Sequence, residues 1–415
     1  MSDVRSLALL IHNGRLVTSG RQYPGGGLFA KGGRIVKILR NDDEVARFKS
    51  SLKHSEVGRR HELRIIDVGG DYIAPGFVDI HCHGGGGYDF MDGTLESVVG
   101  AGKTHLAHGT TCLFPTTLAS TTESLDRAIR SFREAKRVDE GLPDFPGLHL
   151  EGPYFSMAQR GAQDPRHIRN PDPAEYRPFF KYAKDIARWT LAPELPGALE
   201  MARELKARGI LPAIGHSDAD YEQVLEGWKN GFALVTHLYS GMSIVHRIKG
   251  WRHAGVVESA YLIDDMAVEV IADGCHLPAS LLRLVCKIKR PEKICLVTDA
   301  MRAAGLPEGE YLLGSKEDGQ KAIVRDGVAW TASADAFAGS VATAERLVRT
   351  MVQQAGVSVE KALQMASASP AKVMGVHARK GSLAAGKDAD VVCLDETFTV
   401  KAVVARGRVE SCAYR

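Results

Sequence analysis

The feature that most constrains the fold is a series of eight short apolar runs, most of them separated by segments of helical periodicity. The runs are rich in aliphatic and β-branched residues, as in the strands of a parallel sheet covered on both faces. Between them, apolar residues recur three or four positions apart, which predicts helices with one buried face. The runs occupy residues 77–83, 110–116, 148–152, 189–194, 211–217, 233–238, 267–273 and 294–299. Eight such alternations predict an α/β chain folded as a (β/α)8 TIM-like barrel.

The segments that flank these runs have a different pattern. Residues 1–74 and 376–415 contain short alternating strands broken by glycine and proline, which is typical of small β structures. We therefore predict an N-terminal β part over 1–74, a catalytic barrel over 75–375 and a C-terminal β part over 376–415. The two β parts are expected to join into one small discontinuous β-sandwich domain. A chain of 415 residues has room for both units.

Composition excludes several classes of protein. The net charge is only +3, and no basic run is interleaved with aromatic residues, so we expect no nucleic-acid partner. The longest apolar runs have the length of strands, and the apolar start at residues 6–11 runs directly into polar sequence. We therefore expect neither a membrane span nor a signal peptide. Seven scattered cysteines without a CxxC pair indicate reduced thiols in a cytoplasmic protein.

Side chains that can bind a metal stand at the ends of five of the eight runs. Successive side chains of a strand face opposite ways, so His81 and His83 share a face and Cys82 faces away. The carboxyl ends of barrel strands meet at one mouth, where barrel enzymes hold their active sites. A lone histidine is more often a core residue than a ligand, but six candidates at strand ends indicate a shared site. Nitrogen and carboxylate ligands suit zinc, iron(II) or another first-row divalent ion. The candidate ligands are His81, His83, Glu151, His216, His237 and Asp299.

Several motifs spread over nearly the whole chain resemble those of the amidohydrolase superfamily, and within it the branch that deacetylates amino-sugar phosphates. The motifs are PGFVDIHCHG at 75–84, HLEGP at 149–153, RGAQ at 160–163, LAPE at 191–194, GHS at 215–217, THLY at 236–239, ADGCH at 272–276, VTDA at 297–300 and AGS at 338–340. The resemblance implies hydrolysis of the N-acetyl amide of N-acetylglucosamine 6-phosphate, in amino-sugar breakdown and cell-wall recycling. The fourth run lacks the lysine of superfamily members that carry a carbamylated lysine there.

The same resemblance implies roles at the metal centre. It assigns Glu151, His216 and His237 to one metal position. Because the His81 and His83 pair is also present, a second ion is expected, bridged by Glu151 and touched by Asp299. One or two divalent ions are therefore implied, zinc or iron first, with manganese, cobalt and nickel also compatible. The resemblance makes Asp299 the catalytic base, which takes a proton from water and returns it to the departing amine.

The substrate contacts are implied by resemblance as well. Ser240 and Gly241 stand where the family usually has Asn-Ala, which removes amide donors near the sugar or its phosphate. Arg252 fits the family's phosphate-binding run, and Arg247 competes with it by its distance from His237. In the family this arginine enters the site of the neighbouring subunit, which implies a homodimer. The implied contacts with the amino-sugar phosphate are Ala162, Gln163, Ser240, Gly241, Arg247, Arg252, His276, Ala338, Gly339 and Ser340.

Two alternatives stay open at this point. The altered Ser240-Gly241 pair and the inserted basic loop are compatible with an amidohydrolase for a different N-acetylated amino sugar or another amide. The chain could also be an inactive barrel used for binding, but inactive relatives generally lose metal ligands, and every candidate ligand is present here.

Overall fold

The computed structural model describes residues 8–18, 20–53, 63–138 and 141–414. A strand coincides with each of the eight apolar runs, and the fourth strand begins three residues before its run. These barrel strands, numbered one to eight in chain order, are Phe77–Cys82, Thr110–Pro115, Leu148–Glu151, Ile186–Leu191, Leu211–Ile214, Leu234–Val235, Ala267–Val270 and Ile294–Leu296.

The barrel closes through parallel pairing all the way round. Strands three to eight form one parallel sheet in chain order, and strands one and two form a parallel pair. Single bridges join these two pieces, between Thr116 and His149 on one side and between Cys82 and Ala300 on the other. The first strand therefore lies next to the eighth, and the predicted fold class is confirmed.

Helices cover the outside of the barrel because each buries one apolar face. In the helix Thr122–Ala135, for example, Leu125, Ile129 and Phe132 are fully buried, and Thr121 caps the first turn by accepting the N–H of Ser124. The helices of the barrel region are Leu95–Ala107, Thr122–Ala135, Pro173–Tyr176, Ala198–Ala207, Tyr221–Lys229, Val256–Leu262, Ala279–Ile288, Ala344–Gln353, Val359–Ala366 and Ala368–Val373. Among the described residues, none of the helices combines the length and the apolar character needed to cross a membrane.

Strands from both ends of the chain form one eight-stranded sheet, which we call the terminal sheet. The N-terminal strand Tyr72–Pro75 pairs with the C-terminal strand Val391–Leu394 and so joins the two parts. The helix Asp42–Lys53 packs on one face, while the other face encloses a separate apolar core. In the sequence, the charged segment 41–62 has helical spacing; the helix is described as far as Lys53, and residues 54–62 lie outside the described residues. The domain limits at 75 and 375 stay predictions. The strands are Ala8–Thr18, Arg21–Lys31, Arg34–Leu39, Leu63–Asp67, Tyr72–Pro75, Val391–Leu394, Val400–Ala405 and Arg408–Cys412.

Additional antiparallel pieces follow strands one, six and eight, at the carboxyl mouth of the barrel. After the sixth strand, His246–Ile248 and Trp251–His253 pair as an exposed hairpin, which we call the basic hairpin. After the eighth strand, Gly309–Leu313, Gln320–Arg325 and Val328–Thr331 form a three-stranded sheet, which we call the cap sheet. A short pair, Gly84–Gly85 with Tyr88–Asp89, follows the first strand.

Candidate metal centre

The six candidate ligands gather at the carboxyl mouth of the barrel. His81 and Glu151 lie in strands one and three, and the other four follow the ends of strands one, five, six and eight. His216, His237 and Asp299 all have positive φ angles, of 49°, 31° and 47°. Non-glycine residues rarely adopt this conformation, and when they do it is often at functional sites. Here it occurs at three of the residues whose side chains meet in the centre of the mouth.

Glu151, His216 and His237 form the first group of ligand atoms. Glu151 Oε1 lies 3.0 Å from His237 Nε2 and 3.4 Å from His216 Nε2. The two Nε2 atoms are 3.2 Å apart. Nitrogens bound tetrahedrally to zinc at its usual bond length are about 3.3 Å apart. All three side chains are buried, so the spacing and the burial both fit a cation-binding site.

His81, His83 and Glu151 form the second group, with Asp299 beside it. His81 Nε2 and His83 Nε2 are 3.2 Å apart and lie 3.3 and 3.1 Å from Asp299 Oδ1. Glu151 Oε2 is 3.5 Å from His83 Nε2, and Glu151 Oε1 is 3.5 Å from His81 Nε2. Glu151 therefore stands between the two groups and contacts both.

Hydrogen bonds on the far side of the rings fit metal binding. His81 Nδ1 is 2.9 Å from Glu269 Oε2, and His216 Nδ1 is 2.9 Å from the carbonyl oxygen of Gln159. Both partners are acceptors, so each Nδ1 carries the proton, and in the neutral ring Nε2 is left with a lone pair. Those lone pairs point at the shared centre. Carboxylates or carbonyls that hold a ligand histidine in this way are usual in metal sites.

Two buried carboxylates, Glu151 and Asp299, are ionised in this centre. Burial alone would raise the pKa of Asp299, but the neighbouring His81 and the hydrogen bond from His83 lower it to about 2. Burial also opposes ionisation of Glu151, yet the surrounding histidines hold the pKa of this carboxyl well below its usual range. Burial lowers the pKa of His83, whereas its bond to Asp299 and the charge of Glu151 raise it to about 9. Two buried negative charges thus require positive charge, which protons or a cation can provide.

Sequence reasoning did not identify Glu269 and Arg188, although both belong to the hydrogen-bond network behind the candidate ligands. Glu269 in strand seven accepts hydrogen bonds from His81 Nδ1, from the backbone N–H of His237 and from Arg188. Arg188 in strand four is fully buried and also contacts His149. The sequence did contain one indication of a buried charge: Glu269 stands between Val268 and Val270 in an otherwise apolar strand.

Cys82 points away from the candidate ligands. Its Sγ lies 3.1 Å from His105 Nε2, and burial raises the pKa of the thiol well above its usual value. Asp79, which shares the strand, accepts a hydrogen bond from the hydroxyl of Thr298 and so ties strand one to the end of strand eight.

A cavity of about 220 Å³ lies directly above the candidate ligands. Six of the predicted substrate contacts line it: Ala162, Gln163, Ser240, Gly241, His276 and Gly339. Leu118, Leu313, Ala336 and Phe337, which sequence reasoning did not select, line it as well. The ring of Phe337 is 4.8 Å from that of His276, between ring centres.

The other predicted contacts lie elsewhere. Ala338 and Ser340 are buried and do not line the cavity; the N–H of Ser340 instead donates to the carbonyl of Asp299 at 2.8 Å. That bond helps to fix the backbone of Asp299. Arg247 and Arg252 lie directly opposite each other on the basic hairpin, exposed and outside the cavity of their own chain. Both side chains therefore project from the same face of the hairpin.

Comparison with known proteins places this arrangement in a family. The sequence pattern of the amidohydrolase family matches residues 72–409. The chain belongs to the amidohydrolase family. As an amidohydrolase, it is a hydrolase that acts on amide bonds. This amidohydrolase is 33% identical over 379 residues to the N-acetylglucosamine-6-phosphate deacetylase of Lysinibacillus sphaericus, covering 90% of this chain and 95% of the relative. It is 35% identical over 353 residues to the N-acetylgalactosamine-6-phosphate deacetylase of Escherichia coli O157:H7, covering 84% and 90%.

Solved structures agree with the assignment of this amidohydrolase. The crystal structure of N-acetylglucosamine-6-phosphate deacetylase from Pasteurella multocida has a TM-score of 0.87 and 28% identity, covering 98% of this chain and 100% of that chain. A mutant of the Mycobacterium smegmatis enzyme in complex with N-acetyl-D-glucosamine-6-phosphate has a TM-score of 0.86 and 30% identity, with the same coverage. The predicted membership of the superfamily is confirmed.

Proposed function

We propose that this amidohydrolase removes the acetyl group of N-acetylglucosamine 6-phosphate, giving glucosamine 6-phosphate and acetate in amino-sugar catabolism. The observation that carries the proposal is the convergence of six ligand side chains, from distant parts of the chain, beneath one cavity. The names of the relatives that cover nearly the whole chain support the substrate class. The seven cysteines are all free, which fits a cytoplasmic enzyme.

The two ligand groups are proposed to hold one or two divalent ions, zinc or iron first. Glu151, His216 and His237 would hold one ion, and His81 and His83 a second beside Asp299, with Glu151 shared between the groups. A bound divalent ion in such a site supplies Lewis acidity and lowers the pKa of water toward neutrality.

Asp299 is proposed to move the proton during hydrolysis. Its carboxylate is ionised at neutral pH, lies at the bottom of the cavity and can accept a proton from the attacking water. The water oxygen then forms a bond to the acetyl carbon, and the carbon–nitrogen bond breaks. Asp299 returns its proton to the amine nitrogen, which leaves as a neutral amine. The bond from Ser340 to the Asp299 carbonyl keeps this residue in place during both transfers.

His276 is proposed to bind a hydroxyl group of the sugar. Its Nδ1 lies 2.7 Å from Asp273 Oδ2, so the proton is held at Nδ1 and Nε2 can accept a hydrogen bond in the neutral ring. His276 lines the cavity, and the Phe337 ring beside it offers an apolar surface. Together they suit a sugar, which has hydroxyl groups around its edge and apolar C–H groups on its faces.

The basic hairpin is proposed to complete the site of a second copy of the chain, in a homodimer. Arg247 and Arg252 face one way, whereas Ile248 and Trp251 pair on the opposite face. Trp251 is 77% exposed and Ile248 beside it is 50% exposed, and aromatic residues are enriched at protein interfaces. The apolar face would pack on the partner, while the guanidinium groups reach the sugar phosphate.

Subunit mixing tests the hairpin. An Asp299→Asn subunit and an Arg247→Ala/Arg252→Ala subunit should each have little activity on the phosphorylated sugar. If the subunits pair at random, half of the dimers contain one subunit of each kind. One of the two sites in such a mixed dimer has both an intact Asp299 and intact arginines. Co-expression should therefore restore about a quarter of the wild-type sites. Light scattering on the wild-type protein should give a dimer mass. A monomer, or a mixture with no more activity than its parts, would show that each chain works alone.

The main experiment compares substrates on metal-loaded protein. Turnover should be much faster on N-acetylglucosamine 6-phosphate than on unphosphorylated N-acetylglucosamine. The proposal fails if the phosphate gives no advantage. N-acetylgalactosamine 6-phosphate is the second candidate substrate, because the Escherichia coli relative of that name is 35% identical to this chain and Ser240 lines the cavity where the family usually has asparagine. A higher kcat/KM for the galactosamine sugar would reassign the substrate and keep the reaction.

A further inference from the structure

Gln163 makes a buried contact with the central carboxylate of the metal centre. Its side-chain Nε2 donates to Glu151 Oε2 at 2.7 Å. This is shorter than any of the contacts between Glu151 and the histidines. Sequence reasoning assigned Gln163 to the substrate, yet in the structure its amide is directed at Glu151.

The orientation of this amide is fixed from the other side. The backbone N–H of Ala119, just after barrel strand two, donates to Gln163 Oε1 at 2.9 Å. An N–H group requires an acceptor, so the oxygen of the amide must face Ala119 and the NH2 group must face Glu151. Gln163 thus links the end of strand two to the ligand at the end of strand three.

This contact determines how Glu151 presents its two oxygens. Oε2 is held by Gln163, and Oε1 then faces His237 at 3.0 Å and His216 at 3.4 Å. A carboxylate without this bond could rotate about its terminal torsion, which is broad and has weak preferences. The hydrogen bond therefore selects one orientation before any cation arrives, which is how residues behind a ligand raise metal affinity.

We propose that Gln163 is a positioning residue for the metal centre, which holds the Glu151 carboxylate in the orientation needed to bind a divalent cation together with His216 and His237. The inference rests on the metal centre of the proposed function, and it gives Gln163 a role that precedes substrate binding. The second N–H of the amide remains for a ligand in the cavity, while one lone pair of its oxygen is used by Ala119.

Zinc titration of the metal-free, full-length protein against a chelating indicator tests this role. Gln163→Met keeps the length of the side chain and removes both hydrogen bonds, and we expect zinc affinity to fall about 10–100-fold. Gln163→His should recover most of the affinity, because one ring nitrogen can donate while the other accepts. The cobalt absorption spectrum should shift in Gln163→Met and return toward wild type in Gln163→His.

Gln320→Met is the matched control. Gln320 Nε2 donates to the carbonyl of Ala162 at 2.7 Å, next to Gln163, and has no hydrogen bond to Glu151. It should keep zinc affinity within about threefold of wild type, since it lies outside the ligand shell. Equal losses in Gln320→Met and Gln163→Met would show that the loop as a whole is responsible and would overturn the inference.

Further outcomes separate this inference from the proposed function. Unchanged zinc affinity in Gln163→Met overturns the role of Gln163 and leaves the deacetylase proposal intact. A wild-type protein that binds no zinc, iron or manganese overturns the proposed function itself and the inference with it. If Gln163→Met does not fold, Gln163→Asn replaces it: its amide is one methylene too short to reach Glu151, so a similar loss supports the inference and full affinity overturns it.

Discussion

Replacing Glu269 with glutamine is expected to destabilise the barrel and to weaken its metal centre through one shared cause. Glu269 Oε1 accepts from Arg188, and Oε2 accepts from His81 Nδ1 and from the backbone N–H of His237. All groups around this carboxylate are donors. A glutamine has only one oxygen, so its NH2 group must face either Arg188 or His81. The charged Arg188 makes the stronger hydrogen bond and keeps the oxygen, so the NH2 group faces His81. The ring proton of His81 then moves to Nε2 and blocks the lone pair that would bind a metal.

The size of the effect follows from burial. Glu269 and Arg188 are both 0% exposed, and the charge of Arg188 helps to lower the pKa of Glu269 against the effect of burial. Removing one partner of a buried ion pair costs about 3–5 kcal/mol. A chain of 415 residues has an unfolding entropy of about 0.9 kcal/mol/K. The melting temperature of metal-free Glu269→Gln should therefore fall by about 3–6 °C.

A double-mutant cycle provides the assay. Calorimetry in the presence of a chelator compares Glu269→Gln, Arg188→Met and the double variant, so that bound metal does not contribute to stability. Arg188→Met alone should cost about as much as Glu269→Gln, because it leaves a buried carboxylate without its cation. In the double variant the glutamine oxygen is free to accept from His81, so both stability and zinc affinity should exceed those of Glu269→Gln. Strictly additive losses would refute the coupling, and so would a normal zinc affinity in Glu269→Gln.

Three other predictions concern the reaction, the metal and pH. Asp299→Asn should keep its metal content and lose about 10²–10⁴-fold in kcat, since the proton carrier is gone; near-normal turnover would place the base elsewhere. Chelation should lower the melting temperature of wild-type protein, by about 3 °C if zinc was present at a hundred times its Kd; no change would count against a resident metal. The bond to Glu345 raises the pKa of His108. Protonated His108 therefore stabilises the fold below its unfolded pKa of about 6.5 and loses this effect as pH rises through the higher folded pKa. His108→Gln should lower the melting temperature more at pH 6 than at pH 9, and an equal loss at both would contradict the ion pair.

The barrel could be predicted because its signals are local. Each apolar run overlaps a strand, and the ligands stand at the ends of those strands, so the chain order places them at one mouth. The positions of Glu269 and Arg188 depend instead on which side chains meet inside the closed barrel. A single charge in an apolar strand shows that a partner is needed, but it does not identify the partner.

The pieces at the mouth were harder to predict for a different reason. The cap sheet is antiparallel and polar on its exposed face, and its strands do not alternate with helices as the barrel strands do. Phe337 lines the cavity and is bridged to Trp330 in the last strand of the cap sheet, a contact that its place in the sequence does not indicate. The orientation of Gln163 likewise depends on the backbone of Ala119, a contact that no side-chain motif records.

The seam between strands one and eight has a consequence for how the protein matures. The backbone N–H of Asp299 donates to the carbonyl of His81, and Ala300 pairs with Cys82. His81 and Asp299 therefore become neighbours only when the last strand docks on the first. A nascent chain still lacking residues near 300 cannot offer the complete set of ligands, so cation uptake should report the final closure of the ring during biosynthesis.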